Sequence, residues 1–314
     1  MSGWAGITNP ARRWGDTSQH ARESFSQDRY SRPSRHALDG ARCPAWTLVA
    51  SVPIVIAETA PQRQEIAGAT MWVATTQRLK TKVYENRSLT ASPILIVVVH
   101  GDSPDGPPTY QYRFAQTAAA AIADTIVAAV LRPGYSDGED RSDGMRGETT
   151  GDNYTPEVIN AVATAIAELK ARYKPRRVVL VGHSGGSAIV GSLIGQQGSI
   201  ANAALLVSCV CDLEAWRKHM RSTKGGQIWE RPVRSLSPLA FIDGVPTSTK
   251  VSMLVGSDDQ TTPPNLTLAY AGKLQNRGIA VDVTISPGLG HNILLEPVAI
   301  DRLKGIVSTL GSAQ

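Results

Sequence analysis

The stretch VVLVGHSGGSAIVG, residues 178–191, decides how the rest of this sequence is interpreted. Its four leading apolar residues predict a buried strand, and the small and apolar residues after Gly186 predict a helix. Between them, residues 182–186 match the G-x-S-x-G pattern, in which a sharp strand-to-helix turn exposes a serine. The N-terminus of the helix would face that serine and favour negative charge there. We therefore interpret Ser184 as a nucleophile and not as an idle residue in a glycine turn.

A serine hydroxyl is a weak nucleophile and needs a neighbouring base. In enzymes with this turn, the acid and the histidine follow the serine along the chain. Only His219 and His291 follow Ser184. His291 lies in a loop after the last predicted strand, whereas His219 stands beside Arg217 and Lys218 on a predicted solvated helix face. We expect His291 to be the general base.

The acid should follow a strand between the serine and the histidine, and VSMLVGSDDQTTPP (251–264) supplies two adjacent aspartates there. Asp259 is the first choice because it fits a G-x-x-D-x-x-x-P loop. Its role would be to bond the far imidazole nitrogen and orient the ring. Two alternatives stay open: Asp258, which could cap the next helix, and Asp212, at the end of the preceding predicted strand.

Acyl transfer also needs two backbone N–H donors for the developing oxyanion. Gly185, the residue after the nucleophile, is expected to supply one. The other should come from the loop HGDSPDGPP (100–108), which follows an apolar strand. We expect Asp102 to supply it through its backbone and not through its carboxylate.

The remaining segments alternate between strand and helix patterns. Continuous apolar runs such as PILIVVVH (93–100) predict strands that are buried on both faces. Thr155, Pro156 and Glu157 form a helix start, with an N-cap residue, a proline at the first position and an acid in the first turn. Such alternation predicts a parallel sheet covered by helices on both faces.

Taken together, the motifs resemble the α/β-hydrolase superfamily over residues 70–311. In the expected order they are VVVHGD (97–102), LRPGYSDG (131–138), GHSGG (182–186), GSDD (256–259) and GHN (290–292). Residues 236–259 are also similar to the stretch before the acid in prolyl-oligopeptidase-like and serine-aminopeptidase-like members. The resemblance implies a mostly parallel eight-stranded sheet, a triad of Ser184, Asp259 and His291, and no metal or organic cofactor.

The same resemblance assigns residues 213–248 to a small lid or insert. Aromatic residues expected in the lid or near the site are Trp216, Trp229, Tyr110, Tyr112 and Tyr135. The residues expected to line the substrate pocket are Ser103, His183, Tyr135 and Trp216.

The expected function is a serine hydrolase acting on the carboxylic ester of a small-molecule acyl substrate. A serine peptidase or aminopeptidase, an acyltransferase, and a hydrolase-fold protein that binds without turnover are the alternatives, because a fold does not dictate chemistry.

The N-terminal 45 residues differ from the rest in composition. They carry seven Arg and four acidic residues, and so hold three of the five net positive charges. Their lack of periodicity predicts disorder. The remaining chain is nearly neutral and shows no basic stripe, which argues against a nucleic-acid partner.

An uncharged stretch, AWTLVASVPIVIA (45–57), follows this region. It is too short to span a bilayer comfortably, but it has the length of a signal-peptide core, and we set the possible signal segment at 46–58. The 44 residues before it are too long for a normal leader. Either the start codon lies further downstream, or the stretch belongs to the folded body. We favour export to the periplasm or the medium; if the stretch is not a signal, the protein is cytoplasmic.

Three cysteines do not make a disulfide framework. Cys209 and Cys211 lie two apart on a predicted strand, 203–211, where both would face the same side. We expect them to be small packing residues, neither disulfide-bonded nor metal-binding.

Overall fold

A computed structural model describes residues 66–74, 76–104, 106–147 and 151–311. The predicted disordered extension at 1–45 and the possible signal segment at 46–58 lie outside these residues. In the described part of the chain, no helix combines the length and the hydropathy of a bilayer span.

The described residues form one eight-stranded sheet. Its strands are β1 (Ala69–Val73), β2 (Leu79–Glu85), β3 (Ile94–Val99), β4 (Thr125–Val130), β5 (Arg177–His183), β6 (Ala203–Val207), β7 (Lys250–Gly256) and β8 (Val281–Ser286). They are arranged in the order β1-β2-β4-β3-β5-β6-β7-β8. β2 is antiparallel to β1 and β4, and every other neighbouring pair is parallel. This is the mostly parallel α/β sheet that the sequence predicts.

Helices cover both faces of the sheet. They are α1 (Tyr110–Ala121), α2 (Pro156–Tyr173), α3 (Gly185–Gln196), α4 (Leu213–Lys224), α5 (Pro264–Asn276) and α6 (Pro297–Gly311). α1 and α6 pack on one face, while α2, α3 and α5 pack on the other. α2 begins as predicted, because the Thr155 side chain accepts a hydrogen bond from the Val158 N–H.

Strand register brings the carboxyl ends of β3 and β5 together. All six residues of β3 are buried, as the apolar run predicts for a strand covered on both faces. Val99 of β3 lies opposite Gly182 of β5, and His183 lies opposite Val207 of β6. The loops that follow these strands therefore meet at one edge of the sheet, where open α/β sheets bind their ligands.

The predicted strand at 203–211 is too long, because β6 ends at Val207. Ser208 has a φ of 49°, a left-handed conformation that a strand does not accommodate. The chain then turns, and Cys209 and Cys211 form a disulfide. The expectation of two unbonded cysteines was therefore wrong, since it assumed that strand geometry continues through both residues.

The segment 213–248 is more regular than the sequence indicates. It contains α4 and two short 3₁₀ helices, Gln227–Glu230 and Pro238–Gly244. The second of these packs on α3, where Phe241 fills the space beside Gly195. The first part of the insert also packs on the main body, because α4 buries Leu213, Trp216 and Met220 in the core.

Candidate active site

Ser184 lies directly after β5, and its backbone has an unusual conformation. Its φ is 53° and its ψ is −121°, outside the regions that residues with a side chain ordinarily adopt. A Cβ atom on Gly182 would lie 2.6 Å from the backbone oxygen of Gly186. A Cβ atom on Gly186 would overlap the backbone oxygen of Val99 in β3. The two glycines therefore let the chain turn closely enough against β3 to present the Ser184 hydroxyl.

A continuous chain of hydrogen bonds joins Ser184, His291 and Asp259. Ser184 Oγ lies 2.9 Å from His291 Nε2, and His291 Nδ1 lies 2.9 Å from Asp259 Oδ2. Because a carboxylate accepts hydrogen bonds, Nδ1 carries the proton of a neutral His291 and Nε2 can accept the proton of the serine. This geometry suits removal of the hydroxyl proton during nucleophilic attack.

The Asp259 carboxylate is fully buried just after β7 and accepts from several donors. The Thr262 N–H donates to Oδ1 at 2.8 Å, and the Thr262 hydroxyl donates to Oδ2 at 2.7 Å. Burial alone would raise the pKa of Asp259, but the hydrogen bonds from His291 and Thr262 outweigh it and hold the pKa at about 2. The carboxylate is therefore ionised at neutral pH and can stabilise an imidazolium on His291.

The alternative acids are engaged elsewhere. Asp258 accepts a hydrogen bond from its neighbour Ser257 at 2.7 Å. Asp212 caps α4. The structure thus brings Asp259 to His291, and neither Asp258 nor Asp212.

Two backbone N–H groups beside Ser184 are available for an oxyanion. One belongs to Gly185, the first residue of α3, and the other to Asp102, in the loop after β3. Among the described residues, neither N–H donates to another protein atom. Gly101, the residue before Asp102, packs against Ser184, so both N–H groups lie in segments that meet at the Ser184 turn.

The carboxylate of Asp102 anchors the loop that carries this N–H. It accepts hydrogen bonds from Arg132 Nη1 at 3.0 Å, the Tyr154 hydroxyl at 2.8 Å and the Tyr135 hydroxyl at 3.3 Å. Arg132 is fully buried and also donates to the backbone oxygen of His100 at 3.2 Å. These contacts fix the orientation of residues 100–102.

Sequence reasoning missed the roles of Arg132 and Tyr154. Arg132 belongs to the motif LRPGYSDG, but the motif alone gave it no partner. A signal was present, since an arginine at the end of a buried strand needs a carboxylate, and Asp102 follows the neighbouring strand. Tyr154 carries no comparable signal, because the path of the loop decides its position.

The residues expected to line a substrate pocket divide into two pairs. Ser103 and Tyr135 line a cavity of about 330 Å³ beside the loop after β3. His183 and Trp216 are buried and do not line this cavity. Trp216 donates a hydrogen bond to the Thr261 carbonyl at 2.9 Å and packs in the core, where an apolar side chain of its size is most stable.

A second cavity, of about 660 Å³, lies in the insert. It is bordered by α4 and by the stretch from Trp229 to Val233. Among the described residues, no group of three or more His, Cys, Asp or Glu side chains is arranged to hold a metal ion.

A sequence model of the prolyl oligopeptidase family matches residues 111–307, more than half of the chain. The chain belongs to this family. The matched region contains Ser184, Asp259 and His291, while the loop that carries Asp102 precedes it. No significant match was found among curated proteins.

Solved structures of hydrolases share the fold of this family member. The acylaminoacyl peptidase of Pyrococcus horikoshii superposes with a TM-score of 0.60 at 16% identity, covering 79% of this chain and 42% of the peptidase. This chain thus spans less than half the length of that peptidase. Est1E from Butyrivibrio proteoclasticus, with bound ferulic acid, superposes with a TM-score of 0.58 at 13% identity, covering 76% of this chain and 98% of Est1E. An esterase from Pyrococcus furiosus gives a TM-score of 0.58 at 12% identity, with 78% and 93% covered. These similarities show the α/β-hydrolase fold.

Proposed function

We propose that this protein is a serine hydrolase that cleaves a carboxylic ester through an acyl-enzyme intermediate. The observation that carries the proposal is the hydrogen-bonded chain from Ser184 through His291 to Asp259. Family membership and the α/β-hydrolase fold support the same chemistry.

In the first half-reaction, Ser184 Oγ attacks the ester carbonyl while His291 Nε2 takes the hydroxyl proton. The carbonyl oxygen becomes negative and accepts hydrogen bonds from the N–H groups of Gly185 and Asp102. The ester bond then breaks, and His291 returns the proton to the departing alkoxide. In the second half-reaction, water attacks the acyl-enzyme with the same proton transfers and releases the acid and free Ser184. Asp259 orients the imidazole and stabilises its protonated form throughout.

The share of each solved structure that superposes on this chain supports an ester as the first choice of substrate. The two esterases superpose over 98% and 93% of their own chains, whereas the acylaminoacyl peptidase superposes over 42% of its chain. A peptidase that cleaves amide bonds is the second candidate, and the match to the prolyl oligopeptidase family supports it. Both reactions would use the same residues.

Covalent labelling with a fluorophosphonate tests the role of Ser184. We expect the wild type to label and Ser184→Ala to remain unlabelled. Ser192→Ala is the matched control, because Ser192 lies on α3 and its buried hydroxyl has no hydrogen-bond partner among the described residues. Equal labelling of Ser184→Ala and the wild type would show that the nucleophile is another residue. A folded wild type that neither labels nor hydrolyses short acyl esters would indicate a binding protein.

The substrate class is tested with p-nitrophenyl esters of increasing acyl length beside aminoacyl-naphthylamides. An esterase should show the higher kcat/KM on one of the esters. A higher kcat/KM on the naphthylamides would favour the peptidase.

A further inference from the structure

The imidazole of His183 is buried under the Ser184 turn and takes no part in the proton transfers described above. Its Nε2 lies 2.9 Å from the backbone oxygen of His291, and its Nδ1 lies 2.8 Å from the hydroxyl of Tyr110. A carbonyl oxygen accepts only, so Nε2 carries the proton. Nδ1 of a neutral ring then accepts from the Tyr110 hydroxyl.

The neutral state of His183 agrees with this pattern. Burial, followed by the proximity of His291, lowers the pKa of His183 to about 4. At neutral pH the ring therefore has one proton, and the His291 carbonyl decides which nitrogen holds it.

The chain of hydrogen bonds continues from Tyr110 to the loop after β3. The N–H of Gly101 donates to the Tyr110 hydroxyl at 2.6 Å. The order is thus Gly101 N–H to Tyr110, Tyr110 O–H to His183, and His183 N–H to the carbonyl of His291. Each bond has one donor and one acceptor, so the direction is the same throughout. We call Tyr110 and His183 the relay.

The chain of hydrogen bonds begins at Gly101, beside the expected oxyanion donor Asp102, and ends at the backbone of the base, His291. Gly101 immediately precedes Asp102 and packs so closely on Ser184 that a Cβ atom at Gly101 would lie 2.8 Å from the Ser184 Cβ. At the other end, the His291 carbonyl also accepts a hydrogen bond from the Ser208 hydroxyl at 3.1 Å. The backbone of the base is therefore held by two donors.

We propose that Tyr110 and His183 are positioning residues that hold the Asp102 N–H and the His291 imidazole at fixed positions relative to Ser184. This inference rests on the proposed function. The relay touches neither the substrate carbonyl nor the proton in transfer, so its effect is on geometry alone. Displacement of a reacting group by about 1 Å lowers rates by up to a hundredfold, which is the scale of effect that we expect.

The test compares Tyr110→Phe, His183→Ala and His183→Gln. Tyr110→Phe and His183→Ala should lower kcat on a short ester by on the order of tenfold to a hundredfold while KM stays within about twofold. In His183→Gln, the side-chain amide can reach the same carbonyl, so kcat should recover to within about threefold of the wild type. In a double-mutant cycle, the double variant should cost little more than His183→Ala alone, because both changes interrupt one chain.

Tyr112→Phe is the matched control. Tyr112 lies on the same helix as Tyr110, is buried, and donates its hydroxyl to Asp137 at 2.9 Å, outside the relay. It should lower the Tm about as much as Tyr110→Phe but leave kcat unchanged. Wild-type kcat in Tyr110→Phe, or an equal loss of kcat in Tyr112→Phe, would overturn the positioning role.

Failure of the proposed function would be seen separately, as a wild type that does not label at Ser184. If His183→Ala does not fold, Tyr110→Phe and His183→Gln still decide the matter.

Discussion

His291 Nδ1 lies 2.9 Å from one oxygen of Asp259, while the carboxylate of Asp258, next to it in the chain, bonds to its own neighbour Ser257. Two adjacent residues of the same type thus occupy different environments. Substituting each aspartate in turn separates two effects on activity. One is the loss of the carboxylate that contacts the imidazole, and the other is a general loss of negative charge in this loop.

We therefore predict that Asp259→Asn lowers kcat by on the order of 10⁴-fold, because the amide favours the wrong tautomer of His291. Asp258→Asn, the matched control, should retain kcat within about twofold. Steady-state kinetics on a p-nitrophenyl ester measure both. Equal losses in the two variants would contradict the assignment of Asp259.

The turn at Ser184 depends on close backbone approach at Gly186. Gly186→Ala should lower the free energy of unfolding by about 3 kcal/mol, because the new methyl group would overlap the backbone oxygens of Val99 in β3 and of His100 directly after it. Gly272→Ala is the control, since Gly272 lies inside α5 and, beyond its own helix backbone, no heavy atom of the described residues lies within 4 Å of the added methyl group. That change should stabilise the protein by about 0.5–1 kcal/mol. Urea unfolding measures both, and a Gly186→Ala variant as stable as the wild type would contradict the crowded turn.

Acid should destabilise the protein partly through Asp137. Burial would raise the pKa of Asp137, but hydrogen bonds from the Asp140 N–H, Lys80 and Tyr112 outweigh it and lower the pKa to about 2. A depressed folded-state pKa stabilises the fold above the unfolded-state pKa of about 4, and this contribution is lost as the pH falls toward 2. Its size is about 2 kcal/mol.

The free energy of unfolding of the wild type should therefore fall more steeply between about pH 5 and pH 2 than that of Asp137→Asn. Asp143→Asn serves as the control, because Asp143 forms its ion pair with the exposed Arg78 at the surface. It should follow the wild-type profile. Parallel pH profiles for wild type and Asp137→Asn would show that Asp137 makes no such contribution.

The sequence predicts elements and site residues that depend on local pattern and chain order. The apolar run of β3, the cap at Thr155 and the turn at Ser184 each leave a short-range signal. The disulfide between Cys209 and Cys211 does not, because it depends on one left-handed residue, Ser208. The burial of Trp216 likewise depends on long-range packing, which no local pattern encodes.

The anchoring of Asp102 by Arg132 allows a last prediction. Arg132→Met leaves the Asp102 carboxylate buried without its cation, so the free energy of unfolding should fall by about 3–5 kcal/mol. The double variant Asp102→Asn with Arg132→Met removes both charges and should recover part of that loss. It should not recover kcat, because the hydrogen bonds that orient the Asp102 N–H toward the oxyanion are weaker or absent. Urea unfolding and ester kinetics on the three variants, including Asp102→Asn alone, separate the two effects. Recovery of kcat together with stability would show that Arg132 acts through the fold alone and does not orient the oxyanion donor.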